Sequence, residues 1–313
     1  MAWIVDSHLH LVPDPMGWGR ATRGLRRRVV TALSPAFEAA HRAQTWLRIL
    51  PRAVRTPVDQ CGSYLALPHL ALGGTESDLH ALLDSGTLDA AVLIAHPPFT
   101  SNHFVMEAAE RDSRILPVVN LARHAQQPGA ALKDFAKRGA RALKIHLIAD
   151  GLEPSSDVYT ELLKSASDLG LPVIVHTGET ALLGSTGSPK LGAAERLRPW
   201  FTRYPKTSFV LAHLNFHEPK KAIALAADHE NVLLETSWQP PEIITEAVAT
   251  VGAERVLFGS DWPILGANID VGLGRIRGCV ASGLLTQAQA DLVLGMNAAK
   301  LYGFKPQEKP ATP

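Results

Sequence analysis

The chain has 313 residues, 46% of them hydrophobic and 19% charged, and its 31 lysines and arginines against 30 acids leave a formal net charge of +1. That composition excludes disordered and fibrous classes, and no apolar run approaches the ~18 residues of a membrane span. The near-zero charge offers nucleic acid little to bind, and MAWIVDSHLHL at the start carries no basic segment ahead of an apolar core as a secretory leader would. Cys61 and Cys279 form no CxxC pair, so a redox dithiol or disulfide scaffold is not expected. A soluble protein of the reducing cytoplasm is expected, with neither a nucleic-acid nor a membrane partner.

Eight short, apolar runs recur along the chain: Trp3 to His8, Ala90 to Ala95, Ile115 to Asn120, Ala142 to Leu147, Pro172 to His176, Ser208 to His213, Val232 to Thr236 and Val256 to Gly259. Near-continuous apolar strands suit a parallel sheet covered on both faces. Segments with helical signals lie between them. Ser156 caps a helix through Tyr159, Leu162, Leu163 and Ala166 that stops at Gly170. Ile243, Ile244, Ala247, Val248 and Val251 form one apolar face after Pro240 and Pro241, and Thr286 with Gln289 makes a capping box ahead of a last helix toward Tyr302. This alternation, with no glycine-rich fingerprint after the first strand, predicts an α/β protein with a (β/α)8 barrel (TIM barrel) over residues 1–313, and a frayed tail at 305–313.

The first unit is anomalous, because about eighty residues separate the first two strands where a barrel needs roughly half that. An inserted basic helical cap is expected over residues 11–80, with a helix-like stretch from Phe37 to Leu50. From Arg20 to Arg55 it holds nine arginines against one acid, Glu38. It leaves the C-terminal end of a barrel strand and so belongs over the mouth. Three readings stay open: a solvated basic rim, with a homo-oligomer interface as one use, an anion-attracting lid over a carboxylated substrate, or a surface for nucleic acid or an anionic membrane.

The histidines are unevenly placed. The strand ends and loop starts pool about 24 positions, which composition would furnish with roughly one histidine. Six lie there: His8, His10, His96, His146, His176 and His213. Core packing gives no reason to gather imidazoles at one end of a barrel, whereas a metal site assembled from several strands does. In Asp6-Ser7-His8-Leu9-His10 a period of two puts Asp6, His8 and His10 on one side, so two imidazoles can share a cation with Asp6 orienting one of them. His176 and His213 end the fifth and sixth strands, and either can be a ligand.

Phe258-Gly259-Ser260-Asp261-Trp262-Pro263 closes the last strand with a carboxylate, and Gly259 leaves room for a close approach. A hard carboxylate beside imidazoles suits zinc, manganese or iron. By the same parity Lys144 and His146 point into the barrel. Lys144 can bind a substrate carboxylate, pair with Asp261 or Glu235, or be modified into a metal-bridging ligand; His146 can contact substrate or fill the core. His96, before Pro97-Pro98, reads as a loop histidine ahead of one that lines the pocket, while Arg123, Trp238 and Trp262 are candidates for substrate contacts.

In order, DSHLH, LKIH, VIVHTG, VLAHL, LLETS, LFGSDWP and the closing GMNAAKLYGF resemble the amidohydrolase superfamily, within it the amidohydrolase-2 branch, which includes aminocarboxymuconate-semialdehyde decarboxylase. The resemblance covers nearly the whole chain. It implies one divalent metal, zinc ahead of manganese or iron, held by His8, His10, His176 and Asp261, with a binuclear site bridged by a modified Lys144 as the alternative. It also implies catalytic roles for Asp261, as the proton carrier, and for His213, which stabilises the developing oxyanion. Lys144, His146, Arg123 and Trp262 are left to bind substrate. The implied reaction is hydrolysis of an amide, lactone or ester bond in a small carboxylated molecule; non-oxidative decarboxylation (a lyase) comes second, and a catalytically silent ligand-binding barrel is the alternative from another class. The arginine-rich insertion departs from the branch and leaves the substrate open.

Overall fold

The computed structural model describes residues 3–13, 49–51, 53–58, 74–123, 125–180, 187–264 and 268–305, with isolated positions between 25 and 39. Most of the expected cap, including nearly all of Phe37 to Leu50 and Cys61, lies outside the described residues, as does the tail after 305. Isolated positions from 25 to 39 and residues 53–58 are helical. The neck of the insertion is defined: the Val12 N–H donates to the Gly74 carbonyl at 2.7 Å. A Cβ on Gly74 would overlap the ring of Pro263, so the insertion is rooted beside the Asp-Trp-Pro turn.

The barrel strands are β1 (Val5–Leu9), β2 (Ala90–Ile94), β3 (Ile115–Val119), β4 (Ala142–Ile145), β5 (Val173–His176), β6 (Phe209–Ala212), β7 (Val232–Glu235) and β8 (Val256–Leu257), each one to two residues shorter than its apolar run or equal to it at one end. They pair in parallel in sequence order. Closure comes from Ser7 N–H to the Phe258 carbonyl at 2.9 Å, His10 N–H to the Trp262 carbonyl at 2.8 Å, and Asp261 N–H to the His8 carbonyl at 2.7 Å.

The helices that cover the sheet are α1 (Glu76–Asp84), α2 (Asn102–Arg111), α3 (Pro128–Lys137), the short α4 (Leu147–Asp150), α5 (Asp157–Leu169), α6 (Arg198–Arg203), α7 (Pro219–Asp228), α8 (Pro241–Val251), α9 (Asn268–Ala281), α10 (Gln287–Asp291) and α11 (Asn297–Tyr302). Local chemistry sets their ends as expected: Ser156 accepts from the Tyr159 N–H at the start of α5, Gly170 takes φ 66° at its end, and Thr286 with Gln289 forms the capping box of α10. All five expected apolar residues of α8 are buried.

Apolar side chains segregate into two cores, as parity along parallel strands requires. Ala91, Leu93, Leu143, Val175 and Leu211 pack outward against the helices. Val92, Val118, Ile174 and Val210 fill the barrel interior, and Ala298 and Tyr302 of α11 plug its lower end. The interior is thus solid below, and Lys144, His146, His176, His213 and Glu235 come in the last two positions of their strands or just past them. No helix among the described residues is long and apolar enough to cross a membrane.

Candidate metal centre

At the upper end of the barrel the six strand-end histidines meet in a closed ring. Centroid separations run 5.2 Å from His8 to His10, 5.6 Å from His10 to His96, 5.7 Å from His96 to His146, 3.9 Å from His146 to His176, 4.8 Å from His176 to His213, and 4.7 Å from His213 back to His8. His146 and His176 stack almost parallel, 10° apart. His96, expected to be a loop residue, therefore belongs to the ring. Its imidazole meets both His10 and His146 because, two residues past the end of β2, it keeps the parity of the interior residues Val92 and Ile94.

The period of two does not hold through β1. Asp6 pairs with Ala91 and Leu9 with Leu93, so three steps on β1 match two on β2. This bulge turns Asp6 to the side of Leu9 and leaves His8 and His10 facing the interior. Asp6 touches no ring nitrogen. Its carboxylate accepts from Ser260 N–H at 3.0 Å, Ser260 Oγ at 2.5 Å and His8 N–H at 3.0 Å, holding the backbone that carries both His8 and Asp261. Burial pushes its carboxyl up to about 7.

Each ring of the His8–His10 pair has one nitrogen already engaged: His8 Nδ1 meets Glu235 Oε2 at 2.9 Å and His10 Nδ1 meets the Ile94 carbonyl at 3.1 Å. The Ile94 carbonyl can only accept, so His10 is protonated on Nδ1, and His8 is protonated there when Glu235 is ionised; the Nε2 lone pairs are then left for another partner. Those Nε2 atoms lie 3.6 Å and 3.4 Å from Asp261 Oδ1. The other carboxylate oxygen, Oδ2, accepts from the Trp238 indole N–H at 2.8 Å. Among the described residues His8, His10 and Asp261 bring donor atoms within 4.8 Å of one another. Two imidazole lone pairs and one carboxylate oxygen, each backed by a hydrogen bond, fit a divalent cation such as zinc.

His176 is not in that trio. Its Nδ1 faces His213 Nε2 at 3.1 Å and its Nε2 faces Thr180 Oγ1 at 3.4 Å. His213 begins four consecutive non-glycine residues with positive φ, and Trp238 and Asp261 share that conformation at 66° and 58°. Strained backbone of this kind persists where surroundings over-determine it.

Lys144 is 1% exposed and its Nζ lies 3.4 Å from His8 Nε2. Burial pulls its ammonium down to about 8, against the pull of Asp261 and Glu235. Burial, then Lys144 beside them, holds His8 and His213 well below the usual imidazole value, and His146 and His176 are lowered likewise, by burial first. These buried rings are thus neutral, as metal ligands must be. Burial brings His96 down to about 3.

His146 Nδ1 accepts from the Ala149 N–H at 3.2 Å, capping α4. Arg123 is exposed and donates from Nη1 to the Ala149 carbonyl at 2.9 Å, and Trp262 packs its ring into the outer core.

Glu235 is the functional residue that patterning of the sequence left as a mere partner of Lys144. It is wholly buried, and besides His8 it receives the backbone N–H groups of Ser237 and of His213 and the Ser237 hydroxyl at 2.9 Å. Burial pushes its carboxyl up to about 8 against these donors. A Cβ on Gly259 would overlap this carboxylate, so the close approach that Gly259 permits is that of Glu235. The available signal was a lone acid ending an otherwise apolar strand.

The profile of the amidohydrolase family matches residues 5–304. No curated protein matches the sequence. Among solved structures, 5-carboxyvanillate decarboxylase from Sphingomonas paucimobilis is similar with TM-score 0.62 at 14% identity, over 97% of this chain and 100% of that one. A protein from Pseudomonas putida, provisionally assigned as a 2-pyrone-4,6-dicarboxylic acid hydrolase, gives 0.60 at 18% identity, over 98% and 100%. A zinc-bound amidohydrolase from Burkholderia multivorans gives 0.57 at 17%, over 96% and 99%. At such identities these likenesses speak for the barrel, while the family match spans almost the entire sequence. The chain belongs to the amidohydrolase family, whose members are metal-dependent enzymes.

Proposed function

We propose that the protein is a metal-dependent hydrolase that cleaves an amide, lactone or ester bond in a small carboxylated molecule. The observation that carries this reading is the meeting of His8 Nε2, His10 Nε2 and Asp261 Oδ1 with the Lys144 ammonium directly beside them. His8, His10 and Asp261 would hold the cation, with His176 of β5 as the fourth residue of the set. When bound, the metal supplies Lewis acidity, which acidifies water and polarises a carbonyl. Asp261 takes a proton from the attacking water and returns it to the leaving group. His213 lies across the site; its Nε2, facing His176, first takes up a proton as a base and only then can donate to the oxyanion as it develops. Lys144, cationic below about pH 8, holds the substrate carboxylate.

The test is a panel of small carboxylated lactones, amides and esters, run alongside aromatic and unsaturated acids with carbon dioxide release monitored. The expected result is hydrolytic product in proportion to bound zinc or manganese, abolished by a chelator. Carbon dioxide without hydrolytic product would instead make the protein a decarboxylase. Less than about half an equivalent of metal after loading would leave a ligand-binding barrel without this chemistry.

A further inference from the structure

We propose that Glu235 is a positioning residue that sets the tautomers of His8 and His213 together, turning both Nε2 lone pairs into the site. The inference rests on the metal-centre reading above and extends it from the ligands to the group behind them.

The donors around one carboxylate fix both rings. Glu235 Oε2 lies 2.9 Å from His8 Nδ1 and 2.9 Å from Ser237 Oγ, and it also accepts the His213 N–H at 3.1 Å. Facing the ionised form of this carboxyl, His8 carries its proton on Nδ1, which leaves the lone pair on Nε2. The Lys144 ammonium, which has only protons to offer, sits 3.4 Å from that Nε2, as a lone pair there requires. A serine hydroxyl has one proton. Since Ser237 donates it to Glu235, its oxygen must accept from His213 Nδ1, 2.6 Å away. His213 therefore also holds its proton on Nδ1, and its Nε2 faces His176. One buried acid thus dictates the state of two imidazoles, one directly and one through a hydroxyl. Gly259 keeps the space this carboxylate occupies.

Three variants separate this role from a simple electrostatic or structural one. In Glu235→Leu the His8 Nδ1 proton loses its acceptor, and Ser237, no longer donating to Glu235, can either donate to His213 Nδ1 or accept from it. In Glu235→Gln the amide oxygen can occupy the place of Oε2 and keep all three of its donors, although the charge is gone and the amide nitrogen then faces the Ser237 N–H that Oε1 accepts in the wild type. In Ser237→Ala only the link to His213 is cut. The readouts are imidazole nitrogen shifts in the metal-free protein, which report the tautomer, and zinc affinity from competition with a chromophoric chelator.

In the wild type both rings should show the Nδ1–H form. Glu235→Leu should mix the tautomers of both and weaken zinc by about 10- to 100-fold. Glu235→Gln should keep both tautomers and an affinity close to wild type, and Ser237→Ala should alter His213 alone. Unchanged tautomers in Glu235→Leu would overturn the proposal, as would zinc binding in Glu235→Gln as weak as in Glu235→Leu with both tautomers retained, since charge and not tautomer would then be acting. If Glu235→Leu does not fold, Ser237→Ala decides: an unaltered His213 overturns the relay. Failure of the wild type to bind zinc would count against the metal-centre reading, while the tautomer measurement on the metal-free protein would still stand.

Discussion

The indole N–H of Trp238 donates to Oδ2 of Asp261 at 2.8 Å, and this leaves Oδ1 as the oxygen turned toward His8 and His10. The two residues lie on consecutive strand-end loops and both adopt positive φ, so each strained turn supports the other. Trp238→Phe keeps the ring and removes the donor, freeing the carboxylate to rotate. The expected outcome is about 10- to 100-fold weaker zinc binding, read by chelator competition, with little change in thermal midpoint.

His8→Ala and Asp261→Ala each take away a member of the converging trio. Turnover should fall on the order of a thousandfold or more, because the metal's contribution of several kcal/mol is lost. Far-ultraviolet circular dichroism should remain that of the wild type. Near-normal rates in either variant would refute the ligand assignment.

Removal of metal should lower the thermal midpoint of the wild type. A ligand that binds only the folded state at 100 times its dissociation constant adds about 2.7 kcal/mol. Calorimetry with and without chelator checks this, and the difference should vanish in the His8→Ala variant.

Lys144→Met tests the carboxylate contact. Loss of a charged hydrogen bond costs about 1.5–3 kcal/mol, or roughly 10- to 150-fold in KM for an acid substrate, with a much smaller effect on its methyl ester. The same variant has a signature in the metal-free protein. Burial lowers the Lys144 ammonium from 10.5 to about 8, so between those values the unfolded chain binds more protons and wild-type stability rises with pH. That contribution should be missing from Lys144→Met when the two thermal midpoints are compared from pH 8 to 10.5.

Gly259→Ala places a methyl group where the Glu235 carboxylate now lies. Overpacking of this kind costs about 1–3 kcal/mol, measurable by urea denaturation. The displaced acid should weaken metal binding as well, which a purely steric defect elsewhere in the core would not do.

The local chain determined the eight strands, the helix caps at Ser156 and Thr286, and the placing of six histidines at strand ends, because apolar runs, capping residues and strand-end positions are properties of neighbouring residues. Tertiary structure decided the rest. The bulge in β1 that separates Asp6 from His8 arises from pairing with β2, eighty-odd residues away, and no period along β1 reveals it. The place of His96 in the ring, the seat of Trp238 on Asp261 and the joint hold of Glu235 on His8 and His213 depend on strands adjacent in space. A sequence pattern shows which side chains reach the mouth of the barrel. Which nitrogen or oxygen each presents is set by the partner behind it, and that partner comes from another strand.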